Sequence, residues 1–283
     1  MKAVLTVAGL GTRLLPLTKE LPKEMLPIFV KTQDGQLIMK PILQVIFESL
    51  YGYNIRDFCF IVGKTKRSVQ EHFTQDFDLI QHLRTTKKTR LAKILNDYFK
   101  KLEKSNITFT YQPKPIGFGD AIEKGRKFVN GDDFLLHAGD DIVISKRNDH
   151  LKRLEKAFRK YDADIACLIQ KVDDPRKYGV VNGSIVDDGI MLITEMKEKP
   201  KKTSLKNAII AVYMFKPSIF KKLAAVKHHG NLEKQLANAF NLAIKNKETV
   251  IGVTLKKNEK RIDVGTPESY LDVLTSLKKI KFE

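Results

Sequence analysis

The 283-residue sequence predicts an α/β fold: a mixed, mostly parallel central sheet flanked by helices, with a smaller β-rich part in the C-terminal half. Three observations carry this. Apolar runs of strand length alternate with amphipathic helical stretches in the N-terminal part, the pattern of parallel βαβ units. Several runs end in glycine, at Gly9 and Gly11, at Gly117 and Gly119, and at Gly139, where open α/β sheets place their ligands. Beyond Asp164, short strands punctuated by Gly183 and Gly189 read as antiparallel, either a small subdomain or an extension of the sheet.

The first element, Ala3–Val7, is a short apolar strand that empties into Gly9, Gly11, Thr12 and Arg13. Two glycines in three residues let backbone N–H groups turn inward, a concave row that suits phosphate oxygens. Arg13, Lys19 and Lys23 add cations, and Pro16, Pro22 and Pro27 forbid a long helix. The stretch Leu5–Ile28 therefore reads as a loop wrapping a polyphosphate, against the plainer alternative of a strand–turn–helix. It is neither a Walker A loop nor a dinucleotide fingerprint, because Leu14, Leu15 and Pro16 stand where those motifs continue.

A turn at Gln33–Gln36 precedes a helix from Ile42 to Leu50, opened by Pro41 and ended by Gly52. Phe58–Val62 is the next strand. Ser68–Phe73, Asp76–Leu83 and Leu91–Leu102 read as helical, with a polar linker at Thr85–Arg90, so that 77–102 forms a helical insertion whose apolar stripe is core packing or a lid. Ile107–Tyr111 is a strand, and a helix runs from Gly119 through Phe128. Phe134–Ala138 is a buried strand ending in Gly139–Asp140–Asp141, either an Asp-rich turn or a Mg²⁺ site beside phosphate loops. A helix over Asn148–Tyr161 and a strand over Asp164–Gln170 follow. The β-rich stretch holds Tyr178–Val181, Ser184–Val186, Met191–Glu198 and Ala208–Phe215. Helices at Pro217–Lys222 and Leu232–Ile244, a strand at Val250–Leu255, a turn at Ile262–Pro267 and a last helix at Glu268–Leu277 complete the chain.

Composition bounds the classes of function. Hydrophobic residues make up 42%, a globular value, and no apolar run reaches the ~18 residues of a membrane span, so a cytoplasmic protein without membrane partners is expected. The length suits one α/β domain with an appendage or two closely packed lobes. The two cysteines, Cys59 and Cys167, lie in apolar runs and read as buried thiols, and His228–His229 before Gly230 reads as a surface loop. The 51 Lys and Arg against 33 Asp and Glu give a net charge of +18, which favours polyanionic ligands. The cations are spread, without an arginine-rich arm or interleaved aromatics, so nucleic acid is not the expected partner.

The ordered motifs A-G-L-G-T-R (Ala8–Arg13), L-P-K-E-M-L-P (Leu21–Pro27), Gln112 with G-F-G-D-A (Gly117–Ala121), G-D-D (Gly139–Asp141), Y-G-V-V (Tyr178–Val181), E-K-P-K (Glu198–Lys201), N-A-I-I (Asn207–Ile210) and D-V-G-T-P-E-S-Y (Asp263–Tyr270) span nearly the whole chain. Together they resemble the sugar-1-phosphate nucleotidyltransferases, closest to the bacterial-type UTP–glucose-1-phosphate uridylyltransferase branch. The resemblance implies a single domain with a Rossmann-like sheet. Residues 1–170 would be a nucleotide-binding core, 171–265 a sugar-binding part with a β-rich subdomain facing the cleft, and 266–283 a C-terminal helix.

By the same resemblance, Ala8, Gly9, Gly11 and Thr12 bind the nucleotide, and Arg13 and Lys23 are the catalytic cations at the phosphates. Gln112 reads the uracil edge with Gly117 against the base. Asp140 and Asp263 hold Mg²⁺. Gly179, Glu198 and Lys199 take glucose 1-phosphate. The implied substrates are UTP and glucose 1-phosphate, and a homo-oligomer is implied. Two positions depart from the family pattern: Asp120 stands for a histidine, and Lys206 for the serine of an S-N pair. The chemistry agrees with the residues. A phosphate nucleophile with a second pKa of ~6 needs no general base, and no Ser–His–Asp or Cys–His set is evident. Thymidylyl transfer, a broader sugar-1-phosphate range, or a non-catalytic nucleotide- or RNA-binding regulator are the alternatives.

Overall fold

The computed structural model describes residues 1–276 apart from Gln33, Thr65 and residues 227–232. The His228–His229 pair, Gly230, Leu232, Leu277 and the cluster Lys278–Lys281 lie outside the described residues. The strand β1 (Lys2–Val7) leads through three single-turn helices to the hairpin β2 (Pro27–Lys31) and β3 (Leu37–Pro41). Then come α1 (Ile42–Gly52), β4 (Asp57–Gly63), α2 (Arg67–His72), α3 (Phe77–Thr85), α4 (Thr89–Glu103) and β5 (Asn106–Gln112). The helices α5 (Phe118–Lys124) and α6 (Arg126–Val129) precede β6 (Phe134–Ala138), β7 (Asp141–Ile144), α7 (Asp149–Lys160) and β8 (Ile165–Lys171). The rest is β9 (Gly179–Asp187), β10 (Ile190–Glu198), β11 (Asn207–Phe215), α8 (Ile219–Ala225), α9 (Leu236–Lys245), β12 (Val250–Thr254), β13 (Lys260–Asp263) and α10 (Pro267–Ser276).

The main sheet has nine strands in the order β5-β4-β1-β6-β11-β8-β12-β10-β9. From β5 to β6 all neighbours are parallel, as the βαβ pattern predicts. Beyond β6, only β8 and β12 pair in parallel; β11, β10 and β9 run antiparallel to their neighbours. The sheet is therefore mixed in its two halves rather than mostly parallel, and the β-rich stretch extends that sheet instead of building a separate one.

Strand alternation divides the core between the two faces of the sheet. Ala3, Leu5, Val7, Phe58 and Phe60 join α1 and α4 on one face, where Phe47, Tyr98, Phe99 and Leu102 are buried. Val4, Cys59, Ile61 and Leu136 meet α5, α8 and α9 on the other, around Phe215, Phe220 and Phe240. Tyr98, Phe99 and Leu102 of the 77–102 insertion are thus core packing, while Phe77 and Leu91 stay exposed. Asp76 caps α3 by accepting from the Leu79 N–H at 2.8 Å. Both cysteines are free and buried. No described helix is long and apolar enough to cross a membrane.

Three local expectations are corrected. Gly179–Asp187 is one continuous strand, where strands at Tyr178–Val181 and Ser184–Val186 around a turn at Gly183 were expected. A Cβ on Gly183 would lie 1.9 Å from the Leu192 carbonyl oxygen, so that glycine permits a close approach at an irregular ladder. Lys260–Asp263 is a strand paired antiparallel with β7, with Asp263 opposite Asp141, where a plain turn was expected. The helix expected from Gly119 through Phe128 is two short helices divided at Gly125, where an added Cβ would meet the Val4 methyls at 3.2 and 3.3 Å.

Candidate active site

The carboxyl ends of β4, β1 and β6 lie side by side, and the segments leaving β1 and β6 bring Arg13 and Asp140 to one wall of a cleft. After β1, Gly11 adopts φ +65° and accepts a hydrogen bond from Thr18 Oγ1 at 2.8 Å. An added Cβ there would press to 3.1 Å on Thr18, so this turn requires glycine for both space and φ. A Cβ on Gly9 would touch the Lys23 stem at 3.6 Å: the lysine lies across the glycine loop. Lys23 opens a single helical turn, Lys23–Met25, and its ammonium donates to Asp140 Oδ2 in the turn after β6. Burial alone would lower the Lys23 pKa; the Asp140 and Glu24 carboxylates outweigh it and hold the ammonium above its ordinary value. Burial likewise works against the Asp140 carboxylate, and Lys23 offsets it, leaving that pKa below the usual range.

Beneath Lys23 lies a second pair. Lys66 Nζ donates to Glu24 Oε2 at 2.7 Å, with Glu24 1% and Lys66 8% exposed. Burial pushes the Glu24 carboxyl up and the Lys66 ammonium down, and each charge opposes that shift in the other.

The β13–β7 ladder brings Asp263 beside Asp140, and the Val264 N–H donates to the Asp140 carbonyl at 3.3 Å. Asp141, 3% exposed, is gripped by the Arg261 guanidinium through Nε at 2.8 Å and Nη2 at 2.7 Å, and accepts from the Ala211 N–H at 3.2 Å. Arg261 also stacks over the Tyr178 ring, 4.7 Å from its centroid. Burial, with Asp141 nearby, raises the Asp263 pKa. Arg13 reaches the same corner, its Nη2 3.1 Å from where a Cβ on Gly265 would stand.

The opposite wall comes from the antiparallel strands. Gly179 pairs with Glu198 across β9 and β10, and an added Cβ would sit 3.1 Å from Glu198 Oε2. The Lys199 N–H donates to the Tyr178 carbonyl at 3.0 Å, which helps hold this residue at φ +40°, and its largely exposed side chain brings Nζ to 3.4 Å from Glu198 Oε1. The cleft encloses ≈330 Å³ and is lined by Arg13, Asp140, Gly179, Glu198, Lys199 and Asp263 among others.

Six of the predicted site residues therefore share one cavity, and Lys23 joins them through Asp140. Ala8, Gly9, Gly11 and Thr12 form the loop behind. Gln112 and Gly117 are placed differently. Gln112 is 5% exposed, its Nε2 donating to Asp120 Oδ2 at 2.8 Å and to the Gly117 carbonyl at 3.1 Å. The backbone of Lys234 covers Gly117: its N–H donates to the Ile116 carbonyl at 2.8 Å, and an added Cβ on Gly117 would lie 2.6 Å from that nitrogen.

Sequence reasoning missed Asp141, Arg261 and Lys66 as site residues. Arg261 shares a strand face with Asp263, but the turn expected at Ile262–Pro267 hid that strand. No local pattern marks Lys66.

A hard divalent cation fits the donor set. Among the described residues no group of three or more His, Cys, Asp or Glu could hold a metal ion. Mg²⁺ is ordinarily bound by one or two carboxylates completed by substrate phosphates and water. Asp140 and Asp263 supply two carboxylates on the cleft, while Arg261 neutralises the third, Asp141.

Comparison with known proteins agrees with this architecture. The chain is 34% identical over 281 residues to the UTP–glucose-1-phosphate uridylyltransferase of Mycoplasma genitalium, covering 95% of this chain and 89% of that one. It is 33% identical to the enzyme of the same name from Mycoplasma pneumoniae, covering 98% and 92%. Among solved structures, an apo UDP-glucose pyrophosphorylase superposes with a TM-score of 0.86 at 29% identity, over 99% of this chain and 98% of that one. A UDP-glucose pyrophosphorylase complexed with UDP-glucose superposes at 0.82 and 28% identity, over 98% of each. The sequence family described as nucleotidyl transferase matches residues 2–280, and with a glycine loop, two cleft carboxylates and a facing Glu–Lys wall in place, the chain belongs to that family.

Proposed function

We propose that this protein transfers the uridylyl group of UTP to glucose 1-phosphate, releasing pyrophosphate and forming UDP-glucose. The observation that carries the reading is the two-walled cleft. One wall offers Arg13, Asp140 and Asp263, with Lys23 tied to Asp140; the other offers Gly179, Glu198 and Lys199. Relatives carrying the uridylyltransferase name along nearly the full chain support the choice of substrates.

The glucose 1-phosphate oxygen is already ionised near neutrality, since a phosphate monoester has a second pKa of ~6. It attacks the α-phosphorus of UTP. A new P–O bond forms, the bond to the bridging oxygen of the β-phosphate breaks, and its electron pair leaves on pyrophosphate. No proton need move, so catalysis is positioning and charge stabilisation. Arg13 and Lys23 meet the triphosphate, with Lys23 at the reacting phosphorus. Lys199 holds the sugar phosphate, Glu198 accepts from the sugar hydroxyls, and Gly179 leaves room for them. Asp140 and Asp263 are the residues that would hold Mg²⁺, which when bound supplies positive charge at the phosphate oxygens. The segment 1–170 serves the nucleotide and 171–265 the sugar.

Pyrophosphate release measured over a matrix of nucleoside triphosphates and sugar 1-phosphates with Mg²⁺ tests the reading. UTP with glucose 1-phosphate is expected to give the highest kcat/KM. A preference for dTTP would move the protein to thymidylyl transfer, and no release with any pair would leave a non-catalytic binder. Trapping a nucleotidylated protein would overturn direct displacement.

A further inference from the structure

Two neighbouring residues of one short turn reach in opposite directions. Lys23 pairs with Asp140, in the turn that leaves β6. Glu24 pairs with Lys66, in the loop that leaves β4. The strands β4, β1 and β6 are adjacent and parallel, so the two ion pairs tie the three loops at their carboxyl ends into one unit. The packing tightens this further. Glu24 Cγ lies 3.1 Å from where a Cβ on Gly139 would stand, so the Glu24 side chain rests directly under the Gly139–Asp140 turn. The Lys66 N–H donates to the Gly63 carbonyl at 3.3 Å and its carbonyl accepts from Val69 at 3.2 Å, so the lysine is anchored where β4 passes into α2. A Cβ on Gly63 would in turn lie 3.4 Å from the Ala8 carbonyl of the glycine loop.

A buried ion pair is a poor way to gain stability. Desolvating both charges costs several kcal/mol each, and apolar residues of similar volume often serve as well or better. What an ion pair gives that an apolar pair does not is a directional tie. We propose that Lys66 is a positioning residue for the transfer reaction: through Glu24 it fixes the Lys23–Met25 turn, so that the Lys23 ammonium stays aimed at the phosphates when it exchanges Asp140 for substrate. Lys66 touches no substrate in this scheme. This role rests on the proposed uridylyl transfer and names a residue outside the predicted site.

The test uses Lys66→Met and the double variant Glu24→Leu/Lys66→Met. Each is measured for melting temperature, for kcat and the two KM values, and for acylation of Lys23 by a pulse of amine reagent read by mass spectrometry. Lys66→Met is expected to lose on the order of 100-fold in kcat, the cost of a misplaced reacting group, with KM for glucose 1-phosphate little changed. The double variant is expected to melt at or above the parent yet keep the low kcat, with Lys23 acylated faster in both. A folded variant with parental kcat would overturn the role. So would a double variant that regains stability and turnover together, or a Lys66→Met loss spread equally over kcat and both KM values. A parent protein that releases no pyrophosphate would sink the proposed reaction and with it the part of Lys66 in turnover, whereas unchanged Lys23 labelling in both variants would separately overturn the claim that Lys66 holds the turn.

Discussion

The Lys23 ammonium donates to the Asp140 carboxylate, so the cation expected at the reacting phosphorus is parked on a carboxylate expected to hold the metal. Both cannot be fully satisfied at once. Lys23→Ala is expected to lower turnover at least ~100-fold through loss of transition-state charge stabilisation. It is also expected to tighten Mn²⁺ binding in the absence of nucleotide, because the competing ammonium is gone. A Mn²⁺ titration followed by electron paramagnetic resonance checks this; unchanged or weaker binding would refute the competition.

Asp140→Ala and Asp263→Asn remove the two cleft carboxylates one at a time. Each is expected to cost on the order of 100-fold in turnover while the fold persists. Circular dichroism with steady-state kinetics separates the outcomes: a folded variant with near-parental turnover denies that carboxylate its part.

Arg261 grips Asp141 through two nitrogens in a site almost closed to water. Arg261→Met would leave that carboxylate with only the Ala211 N–H, and removing one partner of a buried pair costs about 3–5 kcal/mol. Urea unfolding is expected to show a loss of that size. Because Arg261 also stacks on Tyr178, next to Gly179, the KM for glucose 1-phosphate is expected to rise. A variant as stable as the parent would show that Asp141 finds another partner.

Much of this site was legible because its chemistry is local. Gly11 and Gly179 each sit where a side chain would crowd Thr18 or Glu198, and such glycines mark themselves by the motifs around them. The parallel half of the sheet followed from strand and helix periods. What could not be read depends on partners far along the chain. The strand β13 is four residues long and followed by Gly265-Thr266-Pro267, so its turn chemistry masked a ladder whose partner is β7. Gly183 looked like punctuation, but the close approach of Leu192 demands it. The antiparallel run extends the main sheet because β11 pairs with both β6 and β8, a fact of tertiary pairing. Gln112, which the resemblance implies reads the base, has its amide on Asp120, the residue that departs from the family pattern.

Burial lowers the pKa of three histidines, His72, His137 and His150, so stability is expected to fall in mild acid. Burial lowers His72 to about 4, where its ring nitrogen bonds Gln44, and lowers His150 to about 3, against an unfolded value of ~6.5. Between those values the unfolded chain binds protons that the folded chain refuses. Their contribution is therefore complete above pH ~6.5 and is lost as pH falls toward the folded pKa values, at up to ~1.4 kcal/mol per pH unit for each histidine. Glu24 and Asp263, with carboxyl pKa values raised by burial, act in the opposite sense as the pH falls, so the parent's curve alone mixes two signs. The difference between parent and variant separates them. His72→Gln removes the titrating ring and keeps an N–H for Gln44. Urea unfolding at pH 7 and pH 5 is expected to show a shallower loss for His72→Gln than for the parent; equal losses would mean that His72 titrates normally in the folded state.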